Sequence, residues 1–173
     1  LQLVVRAGAG VNTIDLDAAS SRAIFVSNCP GMNAVAVAEL TFGHLLNTDR
    51  RIADGVRDLR DGQWRKKLYA KSQGLKGRTV GVLGCGAIGQ AVIRRAQAFS
   101  MDVAVCSPDL DAAGAKILGV DLVASVLELA RRVSVLTVHV PLNEHTRGII
   151  GTEVMAALPD GAIIINTSRG GIV

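Results

Sequence analysis

The apolar positions of this chain change rhythm near residue 79. Before that point, QLVVR (2–6) and IFVS (24–27) are short apolar runs that predict strands, and IDLDAAS (14–20) between them carries a helical pattern. NCPGMN (28–33), punctuated by Pro30 and Gly31, predicts a hinge or loop. No proline occurs from Ala34 to Arg60. Over this stretch Val37, Leu40, Thr41, His44, Leu45, Ile52, Val56 and Leu59 recur at helical spacing, which predicts one long helix or two consecutive ones. Residues 61–78 read as a polar connector.

From residue 79 short apolar runs alternate with helical segments. TVGVLG (79–84), VAVC (103–106), VSVLTVHV (133–140) and AIIIN (162–166) predict strands, with a brief fifth near 120–123. Helices are predicted over Ala87–Phe99, near 111–118, over SVLELARR (125–132) and over 152–158. Ser125 and Glu128 have the spacing of a capping box. This alternation predicts an α/β fold with a doubly wound parallel sheet.

Composition supports that architecture. The chain is 49% hydrophobic but only 3% aromatic, so small branched residues and 19 glycines must fill the interior, as in a parallel sheet covered by helices. No apolar run is long enough to predict a membrane span. No charged-then-apolar leader is read at Leu1. Cys29, Cys85 and Cys106 are odd in number and lack CxxC spacing, which argues for packing roles in a reducing cytoplasm and against a metal site.

Charge is unevenly spread. Residues 49–78 hold ten Lys or Arg against four Asp. A solvated helix face and linker explains this excess, with steering of an anionic substrate as the second reading. Nucleic-acid binding is disfavoured, because Trp64 and Tyr69 are the only nearby aromatics and no such motif accompanies them.

The candidate chemistry begins at GCGAIG (84–89), which matches G-x-G-x-x-G between a predicted strand and a predicted helix. In that setting Gly84 permits a tight turn and Gly86 lets a pyrophosphate approach. The amides of Ala87 and Ile88 can bind the phosphates at the helix start, and Gly89 allows close helix–strand packing. Such folds commonly carry an acid at the end of the second strand, where it meets the ribose. Here that place falls to Ser107, with Asp109 two residues on. At the last predicted strand, Arg169 stands where the strand stops and is followed by two glycines, which leave room for a ligand.

Taken together, GVLGCGAIG, TVHVPLNEHTRGIIG (137–151) and LPDGAIIINTSRGGIV (158–173) resemble the D-isomer-specific 2-hydroxyacid dehydrogenases. RAGAGVNTIDLDAA (6–19) and VSNCPGMNAVAVAEL (26–40) are similar to the D-3-phosphoglycerate dehydrogenase branch, although Asn12 stands where that branch often has Asp. The resemblance implies hydride transfer between NAD or NADP and a D-2-hydroxy acid, most nearly 3-phosphoglycerate, with glyoxylate and hydroxypyruvate reduction as alternatives. The same fold also serves dinucleotide-binding corepressors. Gly8, Ala9 and Gly10 would offer amides to the substrate carboxylate, and Arg6 would lie near its phosphate end. Val140 and Pro141 would border the adenosine, and Thr167 and Ser168 the nicotinamide. Ser107 would face the ribose, and Arg169 would be the catalytic arginine. Because Ser107 replaces the usual acid, weak discrimination between the two dinucleotides is expected.

The resemblance further implies a homodimer paired through the long helical segment. It implies two domains: a remnant of the substrate domain over 1–32 and a dinucleotide-binding domain over 33–173, truncated at its C-terminal end. The family's glutamate and acid–base histidine are expected beyond Arg169, so His44, His139 and His145 are not expected to fill that role. On this reading the sheet is incomplete and the chain alone is inert.

Overall fold

The computed structural model describes all 173 residues. Two parallel sheets form, one of two strands and one of five. In the small sheet β1 (Leu3–Val5) pairs with β2 (Phe25–Ser27), and α1 (Leu16–Ser20) connects them. The helix starts later than its apolar pattern suggests, because the Asp15 carboxylate accepts from the Ala18 amide and caps it. Leu3, Val5 and Phe25 are largely exposed on this sheet.

The predicted 34–60 segment is two helices, α2 (Ala34–Arg50) and α3 (Ile52–Arg60). They are separated by Arg51, which adopts a left-handed conformation at φ 54°. Asn47 stabilises the break by accepting from the Ala53 amide at 2.8 Å. The buried face of α2 is Ala34, Ala38, Thr41, Phe42 and Leu45, so two positions of the expected apolar stripe, Leu40 and His44, point outward instead. Tertiary packing selects the face here: Phe42 stacks on Phe99 with ring centroids 5.2 Å apart. The connector is not wholly irregular, since α4 (Lys66–Tyr69) forms within it.

The large sheet is built from β3 (Thr79–Leu83), β4 (Asp102–Cys106), β5 (Asp121–Leu122), β6 (Val135–Val138) and β7 (Ile163–Asn166). Its order is β5-β4-β3-β6-β7, and every pairing is parallel. Helices α5 (Ala87–Ala98), α6 (Ala112–Leu118), α7 (Val126–Arg132) and α8 (Thr152–Ala157) alternate with the strands. Strand alternation divides the core. Val80, Val82, Val103, Val105, Val135 and Ile165 pack under α2 and α5, while Leu83, Ala104, Leu136 and Val138 pack with Leu129 and Val154 of α7 and α8 on the opposite face. Gly81 in the central strand leaves no room for a Cβ beside Leu129 and Val133, which lets α7 lie close to the sheet.

The capping box opening α7 is half made. Ser125 Oγ accepts from the Glu128 amide at 3.1 Å, but the Glu128 carboxylate turns to Arg132. The basic stretch is likewise less solvated than its composition suggests. Asp49, only 4% exposed, holds Arg78 at 3.2 Å, and Arg78 reaches on to the Ser134 hydroxyl and carbonyl. Asp54 pairs with Arg51 and Arg57, and Asp58 with Arg65.

Candidate active site

The order of the large sheet reverses between β3 and β6, and a crevice opens above the carboxyl ends of these two strands. The glycine-rich loop forms one wall, and each of its glycines has a separate reason. Gly84 lies at φ +94°, and a Cβ there would stand 2.8 Å from the His139 carbonyl oxygen. Gly86 faces open space with no atom within 4 Å of its Cβ position. A Cβ on Gly89 would overlap the Gly84 carbonyl, so this glycine seats α5 against the turn. Gly86 opens α5 with no side-chain cap, and the Ala87 and Ile88 amides have no partner within the chain. The residues present therefore fit a dinucleotide pyrophosphate: free amides at a helix start, with space in front of them.

The loop is anchored to the end of β4. The Gly84 amide donates to the Cys106 carbonyl at 2.9 Å, and the Cys85 amide donates to Ser107 Oγ at 3.2 Å. Ser107 is buried, and its side chain braces the loop from beneath. Cys85 and Cys106 have thiols pushed upward in pKa, first by burial and then by the charges of Asp109 and Glu128 respectively, so both stay protonated packing groups.

A cleft of about 560 Å³ separates this crevice from the small sheet, a size suited to a small ligand. It is lined from one side by Ala9 to Asn12, with Asn33 and Val37 at the start of α2. Ile88, His139 to Leu142 and Thr167 to Arg169 line the other side. Eight expected site residues meet here: Ala9, Gly10, Ile88, Val140, Pro141, Thr167, Ser168 and Arg169. Arg6 and Gly8 stand outside its lining; Arg6 folds back so that its Nε donates to the Gly10 carbonyl at 3.3 Å.

The turn carrying Arg169 is held from several directions. Asn166 accepts from the Ser168 amide at 3.0 Å and donates to the Arg169 carbonyl at 2.8 Å. Ser168 Oγ donates to the Val138 carbonyl. Thr41 donates to the Val37 carbonyl, which leaves Thr167 to donate to Thr41 at 3.0 Å. Arg169 itself is exposed, and its Nη2 donates to Asn12 Oδ1 at 3.3 Å across the cleft. No carboxylate pairs with it. The cleft thus presents an uncompensated guanidinium, the group best shaped to grip a carboxylate.

Sequence reasoning passed over four contributors: Asn12, Thr41, Asn166 and the cleft-facing position of His139. Asn166 had a readable signal, because Asn followed by Thr-Ser favours a turn closed by its own side chain. The histidine is 9% exposed, and its Nε2 lies 2.9 Å from Thr137 Oγ1 while Nδ1 has no partner. Burial lowers its pKa to about 4, so it is neutral at pH 7. His44 and His145 are exposed and lie outside the cleft lining. None of the three is placed as a charged proton donor.

Residues 42–173 match the family described as "D-isomer specific 2-hydroxyacid dehydrogenase, NAD binding domain". The chain belongs to that family. Among the D-2-hydroxyacid dehydrogenases and their kin, D-3-phosphoglycerate dehydrogenase of Methanocaldococcus jannaschii is 42% identical over all 173 residues, which cover 33% of that protein. Hydroxypyruvate reductase of Thermotoga maritima is 40% identical over the same span, 55% of its length. The chain therefore spans about a third to a half of the curated relatives it matches. The apo structure of Escherichia coli D-lactate dehydrogenase superposes over the whole chain with a TM-score of 0.90 at 29% identity, covering 54% of that chain. The fold is thus that of the dehydrogenase family, and no helix is long and apolar enough to cross a membrane.

Proposed function

We propose that the whole protein is an oxidoreductase that transfers a hydride between NAD(P) and a D-2-hydroxy acid, with a 3-phosphoglycerate-like substrate as the first choice. The observation that carries this reading is the uncompensated Arg169 guanidinium facing the Ala9–Asn12 loop across the cleft. In this reading Gly84, Gly86, Ala87, Ile88 and Gly89 hold the dinucleotide phosphates. Ser107 lies at the ribose, Val140 and Pro141 border the adenosine, and Thr167 and Ser168 orient the nicotinamide. The bound dinucleotide supplies or accepts the hydride. Gly8, Ala9 and Gly10 present backbone amides to the substrate carboxylate, and Arg6 stands at the phosphate end. Arg169 grips the carboxylate and polarises the carbonyl, which stabilises the charge developing on its oxygen. Proton transfer falls to an acid–base pair other than the three histidines above.

Hydroxypyruvate reduction is the second reading, favoured by the Thermotoga maritima relative. Residues 1–32 are assigned to a substrate domain and 33–173 to the dinucleotide-binding domain. The exposed Leu3, Val5 and Phe25 support this division, since a two-stranded sheet with such a face needs further cover. A homodimer in the cytoplasm completes the proposal. Leu40, Ile52, Val56 and Leu59 leave apolar surface exposed along α2 and α3, and a groove of about 460 Å³ between α3 and α4 adds Trp64.

The deciding experiment screens the whole protein against 2-hydroxy and 2-keto acids with NAD(H) and NADP(H). Saturable turnover of 3-phosphoglycerate or hydroxypyruvate is the expected result. Intact dinucleotide binding with no turnover on any acid would replace this reading with that of a dinucleotide-sensing corepressor.

A further inference from the structure

The geometry points to Asn12 as a positioning residue that aims Arg169 across the cleft while leaving its charge uncancelled. The inference rests on the reading of Arg169 as the group that grips the substrate carboxylate. A guanidinium has five N–H donors. Two groups engage it within the protein: the Ser168 carbonyl accepts from Nη1 at 2.9 Å, and Asn12 Oδ1 accepts from Nη2 at 3.3 Å. The first contact is with its own chain neighbour and fixes only the base of the side chain. The second comes from 157 residues away, on the loop after β1, and fixes the direction in which the fork points.

Both acceptors are neutral. An amide oxygen orients the guanidinium, whereas a carboxylate at the same place would orient it and cancel its charge. An arginine paired with an acid would offer an incoming anion much less attraction, since the pair is close to electrically neutral at a few ångströms. Gly10 reinforces the arrangement. A Cβ there would overlap Arg169 Nη2 and lie 3.1 Å from Asn12 Oδ1. The side chain of residue 10 is therefore missing where the tether crosses. Asn12 is exposed, so replacing it disturbs no core.

The test separates aim from charge with two variants of the whole protein. Asn12→Asp keeps an acceptor oxygen but adds a charge; Asn12→Ala removes the tether. NADH binding, followed by fluorescence, reports that the nucleotide site is intact and should not change in either variant. Reduction of 2-keto acids and inhibition by oxalate, a dianionic stand-in for the substrate, report the cleft. In Asn12→Asp, KM and the oxalate inhibition constant should rise about tenfold or more, with kcat much less affected. In Asn12→Ala, kcat should fall about tenfold while oxalate binding changes less, because aim rather than charge is lost. Asn12→Asp kinetics equal to those of the unaltered protein would overturn the inference alone. Loss of kcat without any rise in KM in Asn12→Asp would also overturn it, since charge would then not matter. An unaltered protein that binds NADH but reduces no 2-keto acid would overturn the functional reading and this inference together.

Discussion

The Cys85 amide donates to the buried Ser107 hydroxyl at 3.2 Å, tying the glycine-rich loop to the end of the second strand of the large sheet. The residue expected to meet the ribose is thus also a brace. Ser107 cannot repel a 2′-phosphate, and no cation follows before Lys116. We expect both dinucleotides to bind. Ser107→Asp retains an acceptor for the Cys85 amide and places a charge at the ribose. It should weaken NADP binding by more than about 1 kcal/mol and leave NAD binding unchanged or improved. Parallel titrations of both dinucleotides measure this; unchanged NADP affinity would mean that Ser107 does not face the ribose.

Gly89→Ala should damage binding and stability together. The added Cβ meets the Gly84 carbonyl, which is backbone and cannot swing aside. Helix α5 must shift, at a cost of about 1–3 kcal/mol. Chemical denaturation and NADH titration should both register the change. Gly86→Ala, with open space around its Cβ position, should lose NADH affinity while keeping its stability.

His139 should make the protein acid-sensitive. Its pKa is about 4 when folded against an ordinary value of 6.5, so the unfolded chain binds the extra proton between those values. Stability therefore falls as pH drops from about 6.5 to 4, by up to about 3 kcal/mol, and this contribution is flat outside that window. Above pH 6.5 it costs nothing. Denaturant unfolding of the unaltered protein and of His139→Asn at pH 7.5, 5.5 and 4.5 should show a shallower decline in the variant.

Asp49→Asn should destabilise the connection between α2 and the large sheet. Asp49 meets the largely buried Arg78 and accepts from the Gly74 amide. Removing the charge strands a guanidinium that is 12% exposed, at a cost of about 3 kcal/mol. Asp54→Asn, whose arginine partners are exposed, should cost under about 1 kcal/mol in the same unfolding experiment.

The proposed dimer predicts that Leu59→Glu, at a position 61% exposed, lowers the sedimentation coefficient of the whole protein without lowering its unfolding midpoint. A parent that is monomeric at micromolar concentration before mutation would dismiss the pairing.

Much of this was legible in the residues. The change of rhythm at Thr79 gave the strands of the large sheet to within a few residues, because β-branched runs bounded by Gly, Pro and Asn have few other ways to fold. GCGAIG announced its turn because each glycine is required by a specific close approach. The face of α2 was less legible, since Leu40 and His44 fit a helical stripe as well as Ala38 and Phe42 do. Only the position of Phe99 decides between them. Arg51 could not be foreseen as a helix break, because a left-handed arginine carries no local signature. The Asn12–Arg169 tether was invisible for a different reason: it joins residues at opposite ends of the chain, and only the folded sheets bring them together.

The strand order has a consequence for synthesis. β3 is the centre of the large sheet, yet one of its neighbours, β4, follows at once while the other, β6, comes only at Val135–Val138. On a ribosome making roughly 5–20 residues each second, the roughly fifty residues between β3 and β6 take about 3–10 s to appear. During that interval one long side of the most apolar strand waits without its partner. Slowing translation between residues 107 and 135 lengthens the wait, whereas a chaperone that shields a nascent strand edge shortens its exposure. Yield of this protein in a cell is therefore set as much by the tempo at which these codons are read as by the stability of the finished sheet.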